Sequence, residues 1–282
     1  MAIGKSISLF LIDGTVDGVI ACELSNWTGK GYKIPRNLLK SVAAREDLKK
    51  AGVYFLVGHN PESDEPTVYI GEAEEVYKRI TQHQDKEFWS EVLAFTSKDE
   101  NLNKAHVKYL EYTLHKDATE AGRFALFNGN TPNRPAISEA EQAVMLEFAE
   151  NLRVMVGTLG FKFFEPLVTK KRVEKSETYL LQGARGAAGK GVPTSEGFVV
   201  LKGSQLASST VPSTPPVVLR KRDALLADGS VENSILSKDT LFNSPSLAAA
   251  VLLGRSANGL VEWKLKGGTT LKDAQAATTG ES

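Results

Sequence analysis

Apolar residues recur along this chain with two periods, which predict strands and helices in alternation. A period of two is typical of strands, and a period near 3.6 is typical of amphipathic helices. In the first half of the chain the two periods predict the order β-β-α-β-α, with elements at 52–58, 67–71, 73–83, 90–97 and 104–116. We therefore expect an α+β fold built on a small antiparallel three-stranded sheet flanked by helices.

Further elements are predicted on both sides of this unit. Two apolar runs around Asp13-Gly14 predict an N-terminal β-hairpin. Ser138 and Glu141 form a capping box, which predicts the start of a longer helix. The apolar stripe of that helix consists of Val144, Phe148, Leu152 and Met155. A shorter helix is predicted within 36–52. Its inward-facing residues are Leu38, Leu39, Val42 and Leu48.

These elements divide the chain into four predicted parts. Residues 1–45 form an N-terminal β-hairpin extension with a helix, and residues 46–135 form the α+β unit. Residues 136–175 are a helical connector that ends in a basic, Pro-containing stretch. Residues 176–282 form a separate basic domain of mixed α/β character with a frayed tail.

Charge is balanced over the whole chain but not within it. Residues 1–150 carry 17 Lys and Arg against 23 Asp and Glu, whereas residues 151–282 carry 17 against 11. The asymmetry indicates different roles for the two halves or, equally, chance differences between solvated surfaces.

Cysteine content and hydropathy restrict the class of protein. A single cysteine, Cys22, excludes a disulfide framework and a cysteine-rich zinc site. No apolar run approaches the length of a membrane span. The N-terminal apolar run ends in a turn signal and has no cleavage site, so we expect a cytoplasmic protein without a membrane partner.

Polar side chains share faces with apolar residues on the two central helices. On the helix at 73–83, Arg79 and His83 lie on the same side as Val76 and Ile80. On the helix at 104–116, Glu111 lies beside the apolar stripe. A charged group on a packing face needs an opposite charge or a metal, unless it reaches the helix rim.

Two tyrosines add to this group, because Tyr54 and Tyr69 fall on neighbouring predicted strands. A buried tyrosine usually only packs and forms a hydrogen bond, but beside a cation its phenol can orient a nucleophile. An arginine, a hard carboxylate and a candidate base are the groups that metal-assisted phosphodiester hydrolysis needs. The glycine-rich segment 183–192 has neither the spacing of a phosphate-binding loop nor its Ser/Thr, which Gly191 replaces.

The segments Gly52-Val53-Tyr54 and Tyr69-Ile70-Gly71, followed by Arg79 and Glu111, resemble the motifs of the GIY-YIG nuclease domain. The order of elements agrees, and the resemblance covers about residues 46–132. The segment 242–264 is similar to an uncharacterised domain often attached behind such nucleases in bacterial proteins, and the segment 12–36 fits the same group.

This resemblance implies cleavage of DNA with one divalent metal ion, Mg²⁺ or Mn²⁺. It implies that Tyr54 acts as or near the general base and that Tyr69 supports the site. It further implies that Arg79 contacts the phosphate and that Glu111 binds the metal.

Four more positions follow from the same resemblance. His83 matches a helix position where the family carries a tyrosine or a histidine, and Asn128 or Asn130 is a candidate phosphate contact. Glu72 departs from the pattern, because a lysine or another non-acidic residue is often found there. Glu72 is predicted either to begin the following helix, where backbone N–H groups favour a carboxylate, or to lie at the cleft mouth near Tyr54.

The basic C-terminal domain is expected to bind the phosphate backbone of DNA. Its candidate contacts are Lys170, Lys171, Arg172, Arg220, Lys221, Arg222, Lys264 and Lys266. Trp263 is either a base-stacking residue or a core residue. Two other functions fit the pattern: a non-cleaving DNA-binding or regulatory protein on the same scaffold, and a protein-interaction module that uses the acidic half.

Overall fold

The structure, a computed structural model, describes residues 4–168 and 177–279. Its contacts divide the chain into two compact units, residues 1–166 and residues 167–282. The architecture is mixed α+β, with separate N-terminal and C-terminal parts. No helix in the part of the chain that the structure describes is long and apolar enough to cross a membrane.

The first unit contains seven described strands and three described α-helices. Its strands are β1 (Ile7–Leu11), β2 (Ile20–Leu24), β3 (Gly29–Pro35), β4 (Gly52–His59), β5 (Pro66–Ala73), β6 (Trp89–Ser97) and β7 (Ala125–Leu126). Its α-helices are α1 (Val76–Thr81), α2 (Lys104–Ala121) and α3 (Glu139–Thr158). Two 3-10 helices, Arg36–Val42 and Glu46–Lys49, replace the single helix expected within 36–52.

These strands form one sheet in the order β1-β2-β3-β6-β4-β5-β7. The three strands expected from the sequence, β4, β5 and β6, lie side by side and antiparallel within it. β3 pairs with β6 from Gly29↔Ser97 to Pro35↔Glu91, so the N-terminal strands continue the same sheet and are not a separate extension. The three expected strands are therefore part of a seven-stranded sheet.

The sheet buries both of its faces, because side chains alternate along each strand. On one face, Val53 and Phe55 of β4 pack in the same core as Leu110 of α2 and Leu152 of α3. On the other face, Tyr54 of β4 packs in a second core that also contains the 3-10 helices and α1. α1 and α2 thus lie on opposite faces of the sheet.

Two glycines of the motifs are required by close packing. A Cβ atom on Gly52 would lie 2.2 Å from the backbone oxygen of Phe95, and one on Gly71 would lie 2.5 Å from the hydroxyl of Tyr54. Both distances are shorter than any normal carbon contact. The small residues in these motifs therefore allow neighbouring groups to approach the strands.

Several local predictions are confirmed and two are wrong. Asn103 caps α2 and Ser138 caps α3 through capping boxes. Val144 is 59% exposed and is not part of the buried stripe of α3. The helix after the second motif begins at Val76 and not at 73, because β5 continues to Ala73.

The second unit contains a smaller sheet in the order β13-β10-β9-β8. Its strands, with a separate β11–β12 pair, are β8 (Tyr179–Gln182), β9 (Ala188–Thr194), β10 (Gly197–Val200), β11 (Val231–Glu232), β12 (Ile235–Leu236) and β13 (Thr240–Phe242). Its helices are α4 (Pro216–Ala227), α5 (Pro245–Leu253), α6 (Gly259–Glu262) and α7 (Leu271–Thr279). Its core is formed around α5, whose residues from Ala248 to Leu253 are all buried.

Candidate active site

A groove lies along the edge of β5 where that strand extends beyond β7. β7 pairs with β5 at Thr67 and Val68, and no other strand of residues 4–168 covers the rest of this edge. The groove has a volume of about 400 Å³. It is lined by Tyr69, Glu72, Ala73, Glu74, Glu75, Lys78, Arg79, Gln82, Lys104 and Glu111. Side chains from β5, α1 and α2 thus converge in one place.

Asn128 covers part of the same edge with its side chain. Its Oδ1 accepts a hydrogen bond of 3.1 Å from the N–H of Ile70, and its Nδ2 donates one of 2.8 Å to the carbonyl of Ile70. This carboxamide thereby takes the place of a neighbouring strand for one residue. Both ends of the group predicted to contact phosphate are occupied by protein backbone, whereas Asn130 is exposed in the following loop.

Tyr54 and His83 form a buried pair behind the groove. The Tyr54 hydroxyl lies 2.8 Å from Nε2 of His83, and the two side chains are 0% and 5% exposed. The carbonyl of His83 accepts a hydrogen bond of 2.9 Å from Nε1 of Trp89, which fixes the backbone beneath the ring. Burial and the nearby Arg79 lower the pKa of His83 to about 4, so the imidazole is neutral near pH 7.

Tyr69 lies between this pair and the groove. Its ring centroid is 4.9 Å from that of His83 and 6.1 Å from that of Tyr54. Tyr54 and Tyr69 come from diagonal positions on neighbouring strands, because Tyr54 pairs with Gly71 and Leu56 pairs with Tyr69. Burial, together with Tyr69, holds the pKa of Tyr54 above its usual value. Ionisation of Tyr54 is therefore disfavoured.

Arg79 extends from the end of α1 into the groove. One guanidinium nitrogen donates a hydrogen bond of 2.7 Å to Oε1 of Gln82, and the side chain is exposed. Burial of part of the group opposes its charge, but the hydroxyls of Tyr54 and Tyr69 outweigh this and raise the pKa of Arg79. No carboxylate pairs with Arg79 among the salt bridges of the described residues. The guanidinium can therefore receive an anion.

Glu111 supplies the carboxylate predicted from the sequence, and Glu72 places a second one nearby. Burial and the charge of Glu72 raise the pKa of Glu111 to about 7, although Lys104 and Lys108 act in the opposite direction. Glu72 accepts a hydrogen bond of 3.0 Å from Nζ of Lys104. The two carboxylates supply oxygen ligands of the kind that a divalent cation prefers.

A divalent cation fits this donor set. No three His, Cys, Asp or Glu side chains are grouped as a metal site within residues 4–168 and 177–279. Mg²⁺, however, is usually held by one or two carboxylates together with water and substrate phosphates. Glu111, with Glu72 as the second carboxylate, would hold such an ion. The pKa of Glu111 is raised first by burial and then by the charge of Glu72, and a bound cation would offset both effects.

The structure brings the predicted residues together, but not all of them line the groove. Tyr69, Arg79 and Glu111 line the groove, whereas Tyr54 and His83 lie behind it. Tyr54 and His83, which are also predicted site residues, adjoin the groove through the ring of Tyr69. The sequence predicts Glu72 either to begin the following helix or to lie at the cleft mouth. It lies on β5 and lines the groove, so it does not begin the helix.

The basic residues of the second half have mixed environments. Lys170, Lys171 and Arg172 lie outside the described residues. Arg222 donates hydrogen bonds to the carbonyls of Val251 and Ala207, at 2.7 and 2.6 Å, which engages it near the end of α5.

Lys221, Arg220 and Trp263 have environments that differ from that of Arg222. Lys221 lies 5.9 Å from the centre of the Phe242 ring, and Arg220 is exposed on α4. Trp263 is 0% exposed and donates to the carbonyl of Pro245. It is therefore a core residue and cannot stack on a base.

Lys104 and Gln82 are two groove residues that the sequence analysis missed. Lys104 lies seven positions before Glu111 on α2, so two helical turns place both on the same side. This spacing is a signal that could have identified Lys104. Gln82 follows the last residue of α1, and no periodicity identifies a residue at a helix end.

Comparison with known proteins identifies only the second unit. A family model described as a domain of unknown function, DUF4357, matches residues 179–275. The expected uncharacterised C-terminal domain is thereby confirmed. No curated protein and no solved structure matches the chain.

Proposed function

We propose that the protein is a metal-dependent endonuclease that hydrolyses DNA phosphodiester bonds at a GIY-YIG-type site in the first unit. The observation that carries this proposal is the convergence of Tyr69, Arg79 and Glu111 in one groove. These residues come from β5, α1 and α2, so no local sequence requirement brings them together. A phenol, an unpaired guanidinium and a carboxylate match the needs of phosphodiester hydrolysis.

Each side chain has a distinct role in this proposal. Arg79 binds the scissile phosphate, because it is the groove cation without a carboxylate partner. Glu111 holds the divalent ion, with Glu72 nearby. The ion, when bound, supplies positive charge that stabilises the pentavalent phosphate in the transition state.

Tyr69 is assigned to orient the attacking water, since it is the tyrosine on the groove wall. Tyr54 and His83 are positioning residues in this scheme. Their hydrogen bond and the contact between the His83 and Tyr69 rings hold Tyr69 against the groove. Tyr54 is less suited to act as the base itself, because its burial disfavours the phenolate.

The second unit is proposed to aid DNA binding. Arg222 is already engaged with backbone carbonyls. The remaining candidate contacts of this unit on α4 are Arg220, which is exposed, and Lys221, which is partly exposed. Contacts of this kind bind the phosphate backbone without reading the sequence.

A plasmid-nicking assay with Mg²⁺ or Mn²⁺ tests the activity. We expect the purified full chain to convert supercoiled plasmid to nicked or linear forms, and EDTA to stop the reaction. Glu111→Gln should abolish cleavage but preserve the fold and DNA binding. Glu147→Gln, which changes an exposed glutamate on α3, is the matched control. DNA binding without cleavage by the wild-type protein under all conditions would favour a non-cleaving DNA-binding protein on this scaffold.

A further inference from the structure

A second pocket lies beside the groove in the first unit. It has a volume of about 530 Å³ and is formed between α2 and the loop that follows β7. From α2 it receives Tyr112, His115 and Thr119, and from the loop it receives Asn128 and Asn130. None of the roles proposed above uses this pocket.

His115 is the most informative residue of the pocket. Its side chain is 7% exposed and lines the pocket, and its ring nitrogens are not among the buried polar atoms of the described residues that lack a partner. Burial lowers the pKa of His115, so the ring is neutral near pH 7. A neutral imidazole has one donor nitrogen and one acceptor nitrogen. Because His115 lines the pocket, a ligand bound there can exchange hydrogen bonds with this imidazole.

The pocket continues the groove along one face of α2. Glu111 lines the groove, and His115 lines the pocket one helical turn later, about 6 Å along the axis. Asn128 also connects them, because it lines the pocket and holds the backbone of Ile70 beside the groove residue Tyr69. A ligand with one group at Glu111 therefore needs to extend only a short distance to enter the pocket.

The chemistry of the lining indicates what that ligand carries. The one cation of the lining, Lys116, lies 3.8 Å from a carboxylate oxygen of Glu120, so the pocket has no strong preference for an anion. The other side chains include the aromatic ring of Tyr112, the apolar Leu126 and the neutral His115. Aromatic stacking combined with neutral donors and acceptors is typical of sites for unstacked nucleobases.

We propose that this pocket receives one unstacked base of the cleaved strand, next to the phosphate that is hydrolysed in the groove. This inference rests on the proposed nuclease function. Removing a base from a duplex stack costs free energy, and the cost is least for an unpaired or mismatched base. The protein should therefore prefer DNA with an unpaired base beside the cleavage site over fully paired DNA.

A substrate series with the full-length protein tests the proposal. Duplexes with one unpaired base near the cleavage site are compared with duplexes in which that base is replaced by an abasic residue, one position at a time. We expect kcat/KM to fall roughly tenfold at a single position. Equal cleavage of all abasic substrates, by a wild-type protein that cleaves, would overturn the pocket but leave the nuclease function intact.

Variants connect that effect to the pocket. Thr131→Trp fills the pocket from an exposed loop residue and should make the protein indifferent to the base. His115→Ala should give part of the same loss. His59→Ala changes an exposed histidine outside the pocket and should preserve the full base effect. Base dependence that survives Thr131→Trp would show that the base is bound elsewhere.

A fluorescence measurement separates failure of the pocket from failure of the nuclease proposal. 2-Aminopurine at the unpaired position should change its emission when the wild-type protein binds, and Thr131→Trp should remove that change. If the protein binds in this way but cleaves nothing, the pocket stands and the nuclease function fails. If the emission does not change at any position, the pocket proposal is wrong.

Discussion

The hydroxyl of Tyr54 lies 2.8 Å from Nε2 of His83, and both side chains are buried behind Tyr69. This contact joins β4 to the residues that follow α1, across the face of the sheet opposite α2. It also supports the floor of the groove, since Gly71 packs directly over the Tyr54 ring. The first tyrosine of the motif pair is therefore best understood as a residue that acts through its neighbours.

Gly71→Ala should destabilise the protein. The new methyl group would lie 2.5 Å from the Tyr54 hydroxyl, and overpacking of this kind typically costs about 1–3 kcal/mol. Urea denaturation of the two proteins measures the difference. Gly129→Ala is the control, because a Cβ atom there has no heavy atom within 4 Å. Equal stability of both variants would show that Gly71 does not pack closely against the Tyr54 ring.

Tyr54→Phe and Tyr69→Phe should differ in their effects. Tyr54→Phe leaves Nε2 of buried His83 without a partner, which should reduce stability by about 1–3 kcal/mol and cleavage only moderately. Tyr69→Phe removes a hydroxyl from the groove wall, so it should reduce kcat more than stability. Thermal denaturation and single-turnover cleavage separate the two effects. A larger loss of kcat for Tyr54→Phe would return the catalytic role to Tyr54.

Arg79→Ala should lower kcat by roughly 10²- to 10³-fold, as expected for loss of a group that stabilises transition-state charge. Binding of DNA should weaken much less, because the proposed backbone contacts of Arg220 and Lys221 would remain. Steady-state kinetics together with a binding titration check this expectation. A change confined to KM would mean that Arg79 only positions the DNA.

Cleavage should rise with pH through the neutral range, because the proposed role of Glu111 as a metal ligand requires its ionised form. The pKa of this carboxyl is raised from 4.5 to about 7. An acid whose pKa is raised by folding binds its proton more tightly in the folded state, so it lowers stability as pH rises from about 4.5 to about 7. Without metal, Glu111→Gln should therefore stabilise the protein near pH 7.5 but not near pH 4. Denaturation at the two pH values tests the sign.

Glu72 and Lys104 should shift the titration of Glu111 in opposite directions. The charge of Glu72 raises the pKa of Glu111, and the charge of Lys104 lowers it. Glu72→Gln should therefore shift the rising limb of the pH–rate profile to lower pH, and Lys104→Ala should shift it to higher pH. Shifts in the same direction for both variants would show that another group controls the limb. Glu72→Lys should further strengthen DNA binding, because it adds a cation to the groove.

The elements of the first unit could be predicted from local sequence to a large extent. Alternation located β4, β5 and β6, and the caps at Asn103 and Ser138 gave the starts of α2 and α3. Short-range sterics and hydrogen bonding determine these features, so residues close in sequence are sufficient. The start of α1 was missed because the backbone of 71–73 pairs with β4, which overrides the helical pattern.

The sequence alone determined which chemical groups the protein has and roughly which face of each helix carries them. Only the tertiary structure decided that Glu72 remains on a strand beside Glu111 and that Tyr54 is buried under Gly71. It also decided that β1–β3 join the central sheet and that Asn128 pairs with Ile70, which is 58 residues away along the chain. These outcomes depend on which segments pack together over long sequence separations. Burial and the neighbouring charges then set the pKa of each group, and no local pattern contains that information.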